Sequence, residues 1–452
     1  MKKEPESKPR AVFATRFGAI AAIVGSSVGL GNIWRFPYEA GMHGGGAFLI
    51  CYIICVALLG IPVMCAEFAM GRGTRRNIFG AYKKLCPGGK WQLSGYLGIL
   101  ASFLIISFYS VVAGWTIEFC VQSALGTLEF NGAESNHEQF LELITGWHSV
   151  VWTIIFLAIN FGVLTGGVTK GIERMANVMM PLLFLLLIAF CVNSFFMPGF
   201  EDGISFLFKP DFSKLTPSVM LGALGQAFFS LSLGLGGMMT YASYFKEDTH
   251  LARTAASSAL LDTSVALLAG IIIFPAVFSF GLSPQAGPAL VFEVLPHVFS
   301  QLPGGMLWST LFFLLLFLAS ITSTVSMSEI SISYFCDEKK LTRGKATALS
   351  AAIALTGGII CALSFGPLSS ATLFGMTAFD LFDYAASNIL LPVGGFICAI
   401  FVGWKLDRKF LAGQMTNHGH HRFPLLGTLR FCLRYVAPAA ILLIFLNSLG
   451  FL

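Results

Sequence analysis

The chain reads Gly25-Ser26-Ser27-Val28-Gly29-Leu30-Gly31-Asn32 and then Ile33-Trp34-Arg35-Phe36-Pro37, inside an apolar run that begins at Phe17. Gly25, Gly29 and Gly31 with two serines make poor material for a continuous helix, since an interior Gly costs about 1 kcal/mol against Ala. In hydrocarbon, a backbone that leaves the helical path must find other partners or line a polar cavity. The N–H and C=O groups released there suit a small zwitterion and its cations. The stretch is therefore expected to be a binding site built from an unwound membrane helix.

Only 11% of the 452 residues are charged and 56% are hydrophobic, against about 25% charged in soluble domains. Apolar runs about as long as a bilayer crossing recur throughout. They predict spans at 16–38, 45–70, 92–122, 150–166, 175–196, 217–245, 256–281, 306–336, 346–364, 379–404 and 430–451. The fold class is thus an all-α integral membrane protein with 11 transmembrane helices. The polar, basic segment from Met1 to Arg10 is not a signal peptide. With the N-terminus placed in the cytoplasm and the C-terminus outside, only Arg35, Lys209 and Lys214 of the 28 basic residues remain outside. The inner set includes Lys2, Lys3 and Lys8.

Residues 124–149 form an acidic outer segment (Glu129, Glu134, Glu138, Glu142), and 282–305, with Pro284, Pro288, Pro296 and Pro303, predict a structured outer hairpin. His418, His420 and His421 share the last inner loop, which reads as solvated rather than as a metal site. The cysteines lie mostly in apolar runs without CxxC pairs and read as buried thiols.

Span 6 carries a second interruption, Gln226 to Gly237, with Phe229, Ser230, Ser232, Gly234, Leu235 and Gly236. Close helix packing alone accounts for Gly234 and Gly236. It does not account for Ser, Asn and Gly together in span 1. Interrupted helices five spans apart predict a 5+5 inverted repeat, with broken helices 1 and 6 meeting near the bilayer midplane. The expected division is 1–196 (spans 1–5), 197–404 (spans 6–10) and 405–452 (span 11).

At Gly29-Leu30-Gly31-Asn32-Ile33-Trp34-Arg35-Phe36-Pro37 the sequence resembles the neurotransmitter:sodium symporter family, in its bacterial amino-acid branch. Glu67-Phe-Ala-Met-Gly71-Arg72, Tyr109 with Trp115, Ser230 to Gly236, Thr240 to Tyr244 and Ala319-Ser-Ile-Thr322-Ser323 match in order, so nearly the whole chain takes part. The resemblance implies the leucine-transporter fold and sodium-driven alternating access. Many relatives have twelve spans, so an oligomer contact through a twelfth is not expected here.

The resemblance also implies two sodium ions. One would take the Ser27 carbonyl, Asn32, Ser230 and, from span 7, Asp262, where relatives often carry Asn. The other would take carbonyls of Gly25, Val28 and Ala319 with the hydroxyls of Thr322 and Ser323. Bonding back to their own helix is the ordinary alternative for those two hydroxyls. An acid inside an apolar span is a functional candidate by default, although an interfacial salt bridge is the alternative for Asp262. If Asp262 supplies the charge that chloride supplies in some relatives, transport is chloride-independent.

By the same resemblance, a substrate amine would meet carbonyls of Ser27, Phe229 and Ser230. Its carboxylate would meet the N–H groups of Gly29 and Leu30 and the Tyr109 hydroxyl. Monoamine carriers have Asp at the Gly29 position, so Gly implies an amino acid. The side-chain pocket would be Ser26, Ile105, Phe229, Ser232, Leu235, Ser323 and Met327, which has no charged group and implies a hydrophobic or aromatic L-amino acid. Arg35 would pair with Asp383 at an outer gate near Gln226, with Asp380 the weaker candidate. Arg10 would pair with Asp337 at an inner gate beside Ser243 and Tyr244, with Phe13 packing the N-terminal segment down. Gly171 and Pro181 would let the inner half of span 5 unwind; a static proline kink is the alternative.

A non-transporting membrane sensor would need a signalling domain that the chain lacks, and an enzyme would need a reactive constellation at midplane. A proton-coupled carrier on the same fold is the nearest rival, but Thr322 with Ser323 looks sodium-like. The expected partners are the amino acid and membrane lipid, not nucleic acid, in a bacterial inner membrane.

Overall fold

Apolar runs in a bilayer leave the backbone no partner but itself, and helices follow. The structure is a computed structural model that describes residues 10–128, 133–281, 291–292, 295–301 and 303–448. Lys2, Lys3, Lys8, Glu129, Pro284 and Pro288 lie outside the described residues, so most of the expected outer hairpin does too.

Among the described residues, nine continuous helices are long and apolar enough to cross a membrane. Spans 2–5 are Gly46–Thr74, Lys90–Leu125, Trp147–Thr165 and Val168–Ser194. Spans 7–11 are Leu251–Ser279, Gly305–Asp337, Arg343–Leu363, Ala378–Lys405 and Leu426–Leu446. Span 1 is a bent pair, Arg16–Ser27 and Gly31–Met42, at 55°. Span 6 is Pro217–Ser230 followed, after a non-helical stretch, by Gly237–Ala242. With these two broken spans the expected eleven are complete. Spans 3 and 8 are each 78% buried and form the centre, whereas span 11 is 33% buried and lies at the periphery.

The break in span 6 has a backbone cause. Ser232, Gly234 and Gly236 have φ of 51°, 82° and 80°, which no helix tolerates. A Cβ on Gly234 would stand 2.3 Å from the Leu391 carbonyl, so span 10 approaches too closely for any side chain. The amides freed there are taken up by Glu67 of span 2, which accepts from Gly234 N at 2.9 Å and Met239 N at 3.3 Å. Each unsatisfied amide in hydrocarbon would cost several kcal/mol, and this buried carboxylate satisfies both.

The start of span 1 is fixed similarly. Thr15 caps the helix by accepting from Gly18 N at 2.9 Å. Glu173 of span 5 accepts from Ala14 N, Thr15 N and the Thr15 hydroxyl at 2.8, 3.0 and 2.9 Å. Gly18 is required at this contact, because a Cβ there would lie 2.2 Å from the Glu173 carboxylate.

Candidate functional site

Asp262 is the hub of a buried polar cluster where spans 1, 2, 6 and 7 meet. It is fully buried. Its Oδ1 accepts from Asn32 Nδ2 at 2.8 Å, and its Oδ2 from the Ser230 hydroxyl at 2.6 Å and Tyr52 at 3.5 Å. Asn32 Nδ2 also reaches Ser230 Oγ at 2.9 Å, while its Oδ1 accepts from Gly29 N at 3.1 Å. Among the described residues no basic side chain pairs with Asp262, so the salt-bridge alternative does not describe it there. A carboxylate kept in the interior with oxygens and no cation is a donor set that fits a monovalent metal ion.

A second group of oxygens forms where span 8 meets the break in span 1. The Ser323 hydroxyl donates to Val28 O at 2.9 Å and lies 3.4 Å from Gly25 O. Thr322 takes the local alternative and donates to Leu318 O and Ala319 O of its own helix at 3.0 and 3.1 Å. The five expected groups, Gly25, Val28, Ala319, Thr322 and Ser323, are therefore contiguous. Carbonyls and hydroxyls without net charge also fit a weakly held cation.

Between the two groups lies a central cavity of about 20 Å³, lined by Ser27, Gly29, Gly31, Asn32, Ile105, Tyr109, Phe229, Ser230, Ser232, Leu235, Ser323, Met327 and Leu391. Leu30 and Ser26 are absent from the wall, although Leu30 N donates to the Tyr109 hydroxyl at 2.9 Å. Ser26 turns its hydroxyl to Ser326 at 2.8 Å, and its carbonyl accepts from Ser232 at 3.1 Å. The wall carries no ionised side chain, and Asp262 stands behind Asn32 and Ser230.

The two sides of the molecule differ. On the side that carries Phe13 and the start of span 1, Arg10 pairs with Asp337, donates to Ser243 at 2.8 Å and stacks over Tyr244 at 4.8 Å. Phe13 N donates to the Tyr244 carbonyl at 3.0 Å, and its ring is buried among Tyr241, Tyr244 and Phe245. Tyr244 in turn donates to Glu329 at 2.6 Å, and Arg343 holds that carboxylate with two bonds at 2.7 and 3.0 Å. This side is shut.

On the opposite side the expected Arg35–Asp383 pair is not formed. Arg35 Nε lies 3.6 Å from Glu39, one helical turn on, and its guanidinium stacks 4.3 Å over the Phe229 ring. Asp383 accepts from Ser387 at 2.7 Å instead. Arg35 and Asp383 face each other across a cavity of about 310 Å³ whose floor includes Tyr109 and Phe229. Gln226 donates to Gly31 O at 3.0 Å, one helical turn before Arg35. Asp380 caps span 10 with Thr377.

Span 5 begins at Val168 with π-helical turns to Glu173, earlier than the expected 175, and Gly171 sits within them. Pro181 lies inside the α-helical continuation. Gly171 is tightly placed, since a Cβ there would stand 2.3 Å from the Val163 carbonyl.

Tyr52, Glu67, Glu173 and Leu391 belong to this architecture and were given no role by the sequence. Tyr52 had one usable signal: it is the sole hydroxyl between Gly46 and Ala66. Leu391 and Glu173 had none, being an ordinary apolar residue and a loop-like charge beside Lys170 and Arg174.

Two interrupted helices crossing at a small polar cavity, with buried oxygens on either side, define a helical membrane transporter. The family model for the sodium:neurotransmitter symporter family matches residues 10–142 and 134–451. An uncharacterized sodium-dependent transporter of Bacillus subtilis, YhdH, is 42% identical over 450 residues, covering 99% of each chain. The sodium-dependent serotonin transporter of Drosophila melanogaster is 26% identical over 480 residues, covering 95% of this chain and 75% of its own. The crystal structure of MhsT in complex with L-phenylalanine superposes with a TM-score of 0.90 at 41% identity, covering 97% of this chain and all of that one. The chain belongs to the sodium:neurotransmitter symporter family and is a sodium-dependent transporter.

Proposed function

We propose that this protein imports hydrophobic or aromatic L-amino acids by sodium-coupled symport with two ions, through alternating access and without chloride. The observation that carries the reading is the small cavity with no ionised lining, held between buried Asp262 and the Ser323–Val28 contact. The substrate's amine would lie toward the carbonyls of Ser27, Phe229 and Ser230, and its carboxylate toward Gly29 N, Leu30 N and Tyr109. Its side chain would rest on Ile105, Ser232, Leu235 and Met327. A relative of the same fold, MhsT, crystallised with L-phenylalanine, supports this class of substrate.

In this reading Ser27, Asn32, Ser230 and Asp262 hold one sodium, and Gly25, Val28, Ala319, Thr322 and Ser323 the other. The bound ions supply positive charge that offsets the substrate carboxylate and Asp262. Arg10, Asp337 and Tyr244 form the inner gate. The outer gate closes when Arg35 leaves Glu39 for Asp383, and the difference between the two sides described above supports that cycle. The halves 1–196 and 197–404 move against each other, with the N-terminus in the cytoplasm and the C-terminus outside.

The test is uptake of labelled phenylalanine into vesicles containing the purified protein. An inward sodium gradient should drive accumulation, and potassium should give none. Equal uptake in potassium with an imposed proton gradient would select the proton-coupled carrier. Because Asp262 brings its own negative charge, replacing chloride with gluconate should leave uptake unchanged; loss of uptake would overturn the chloride-independent reading.

The hinge role of Gly171 and Pro181 makes a kinetic prediction. Pro181→Ala restores a helical amide and stiffens the segment beside the second group of oxygens. Uptake should fall severalfold while equilibrium substrate binding stays near that of the unmodified protein. Equal losses in both would mean that Pro181 only kinks the helix.

A further inference from the structure

A second cavity, of about 230 Å³, opens between the inner ends of spans 1 and 7, away from the central site. Arg16, Lys246, His250 and Arg253 line it. Nearby acids leave this charge only partly balanced. Asp248 pairs with Arg16 at 2.7 Å, and the Glu247 carboxylate lies 3.9 Å from Arg75. Lys246 donates to the Ala14 carbonyl at 2.6 Å, which occupies one of the three hydrogens of an ammonium. The Arg253 guanidinium makes no hydrogen bond or ion pair among the described residues.

The cavity wall also carries a hydroxyl without a protein partner among the described residues. Thr254 is 5% exposed and lines the wall, yet its hydroxyl makes no hydrogen bond among the described residues. Membrane-helix threonines usually bond back to their own backbone, whereas this hydroxyl, on the wall beside three cations, is free to donate to a ligand. The His250 ring lies 3.7 Å from that of His421. Desolvation and that neighbour hold its pKa below the ordinary histidine value, so it offers a hydrogen bond rather than a charge.

The remaining wall is apolar. Ala19 and Ile20 line the side toward span 1, and the large exposed side chains nearest in sequence are Phe17 (60%) and, on span 7, Leu260 (67%). In a membrane protein such residues on spanning helices face acyl chains. A free anion would gain nothing from them.

We propose that this cavity is a binding site for an anionic phospholipid. The phosphate of the headgroup meets Lys246, Arg253 and the Thr254 hydroxyl, and the chains run along Ile20 and Phe17. The leaflet it occupies, the cytoplasmic one, follows from the orientation proposed above; the binding itself does not depend on that orientation or on the substrate. Basic pockets between helices at the headgroup level have this chemistry, with each Lys or Arg contributing about fivefold in affinity.

The experiment titrates the purified full-length protein in detergent with dihexanoyl phosphatidylglycerol, dihexanoyl phosphatidylcholine or inorganic phosphate, reading bound lipid by native mass spectrometry. Saturable binding of the glycerol lipid, weaker by at least about tenfold in the Lys246→Gln/Arg253→Gln double variant, is expected. Arg253→Lys should keep binding within a few-fold. Lys339→Gln/Lys345→Gln, which removes two exposed inner charges elsewhere, should leave it unchanged. Sodium-dependent amino-acid binding by each variant reports that it is folded. Undiminished lipid binding by the double variant, equal binding of the choline lipid, or inorganic phosphate binding as tightly as the lipid would each overturn the proposal.

Discussion

Asp262→Asn should weaken sodium-dependent amino-acid binding by roughly 100-fold while leaving the protein folded. The carboxylate receives donors from Asn32, Ser230 and Tyr52, and each oxygen is used. An asparagine of the same shape has one acceptor oxygen and an NH₂ group, so the Ser230 and Tyr52 hydroxyls lose an acceptor or must turn to accept. Hydrogen bonds to a charged partner contribute about 1.5–3 kcal/mol each, and the negative charge that would offset a cation disappears with them. Asn32 is affected in turn, and with it the Gly29 amide that its Oδ1 accepts. A sodium titration of labelled-substrate binding checks this. An unchanged sodium midpoint would remove Asp262 from the ion site.

The second large effect concerns a residue with no side chain. A Cβ on Gly29 would stand 2.7 Å from Ser323 Oγ and 2.8 Å from the Tyr109 hydroxyl. Neither can retreat freely, since Ser323 holds Val28 O and Tyr109 holds Leu30 N. Gly29→Ala must therefore spread the break in span 1 or fill a cavity of only about 20 Å³. Amino-acid binding should drop by about 100-fold or more, a loss of the order that a misplaced binding group produces. Stability without substrate should fall as well, by about 1–3 kcal/mol, the usual cost of overpacking a tight site. Near-normal binding by the alanine variant would show that the space at Gly29 is not where the substrate lies.

Much of this architecture can be read from residues that act through their own backbone. The Gly-Ser-rich stretch of span 1 and the Ser-Gly run of span 6 announce their breaks because no regular helix accommodates them. Arg10 and Asp337 could be paired because the inner ends of their segments had charge to spare. What escaped reading depends on partners far along the chain. Glu67 holds the unwound part of span 6, 167 residues away, and Glu173 holds the start of span 1, 158 residues away. Arg35 was assigned to Asp383, but it sits with Glu39 and Phe229. Arg35 and Asp383 stand apart across a cavity of about 310 Å³, a separation that residue types alone do not report.

The central claim is that sodium and an amino acid bind together at the broken helices. Equilibrium binding of labelled tryptophan and leucine to the purified protein, with sodium titrated against potassium in the absence of chloride, tests it most directly. The account predicts steep, cooperative sodium dependence for the better substrate and no specific binding in potassium alone. Binding of equal affinity in both salts would contradict the account and dissolve the roles given to Asn32, Asp262, Thr322 and Ser323.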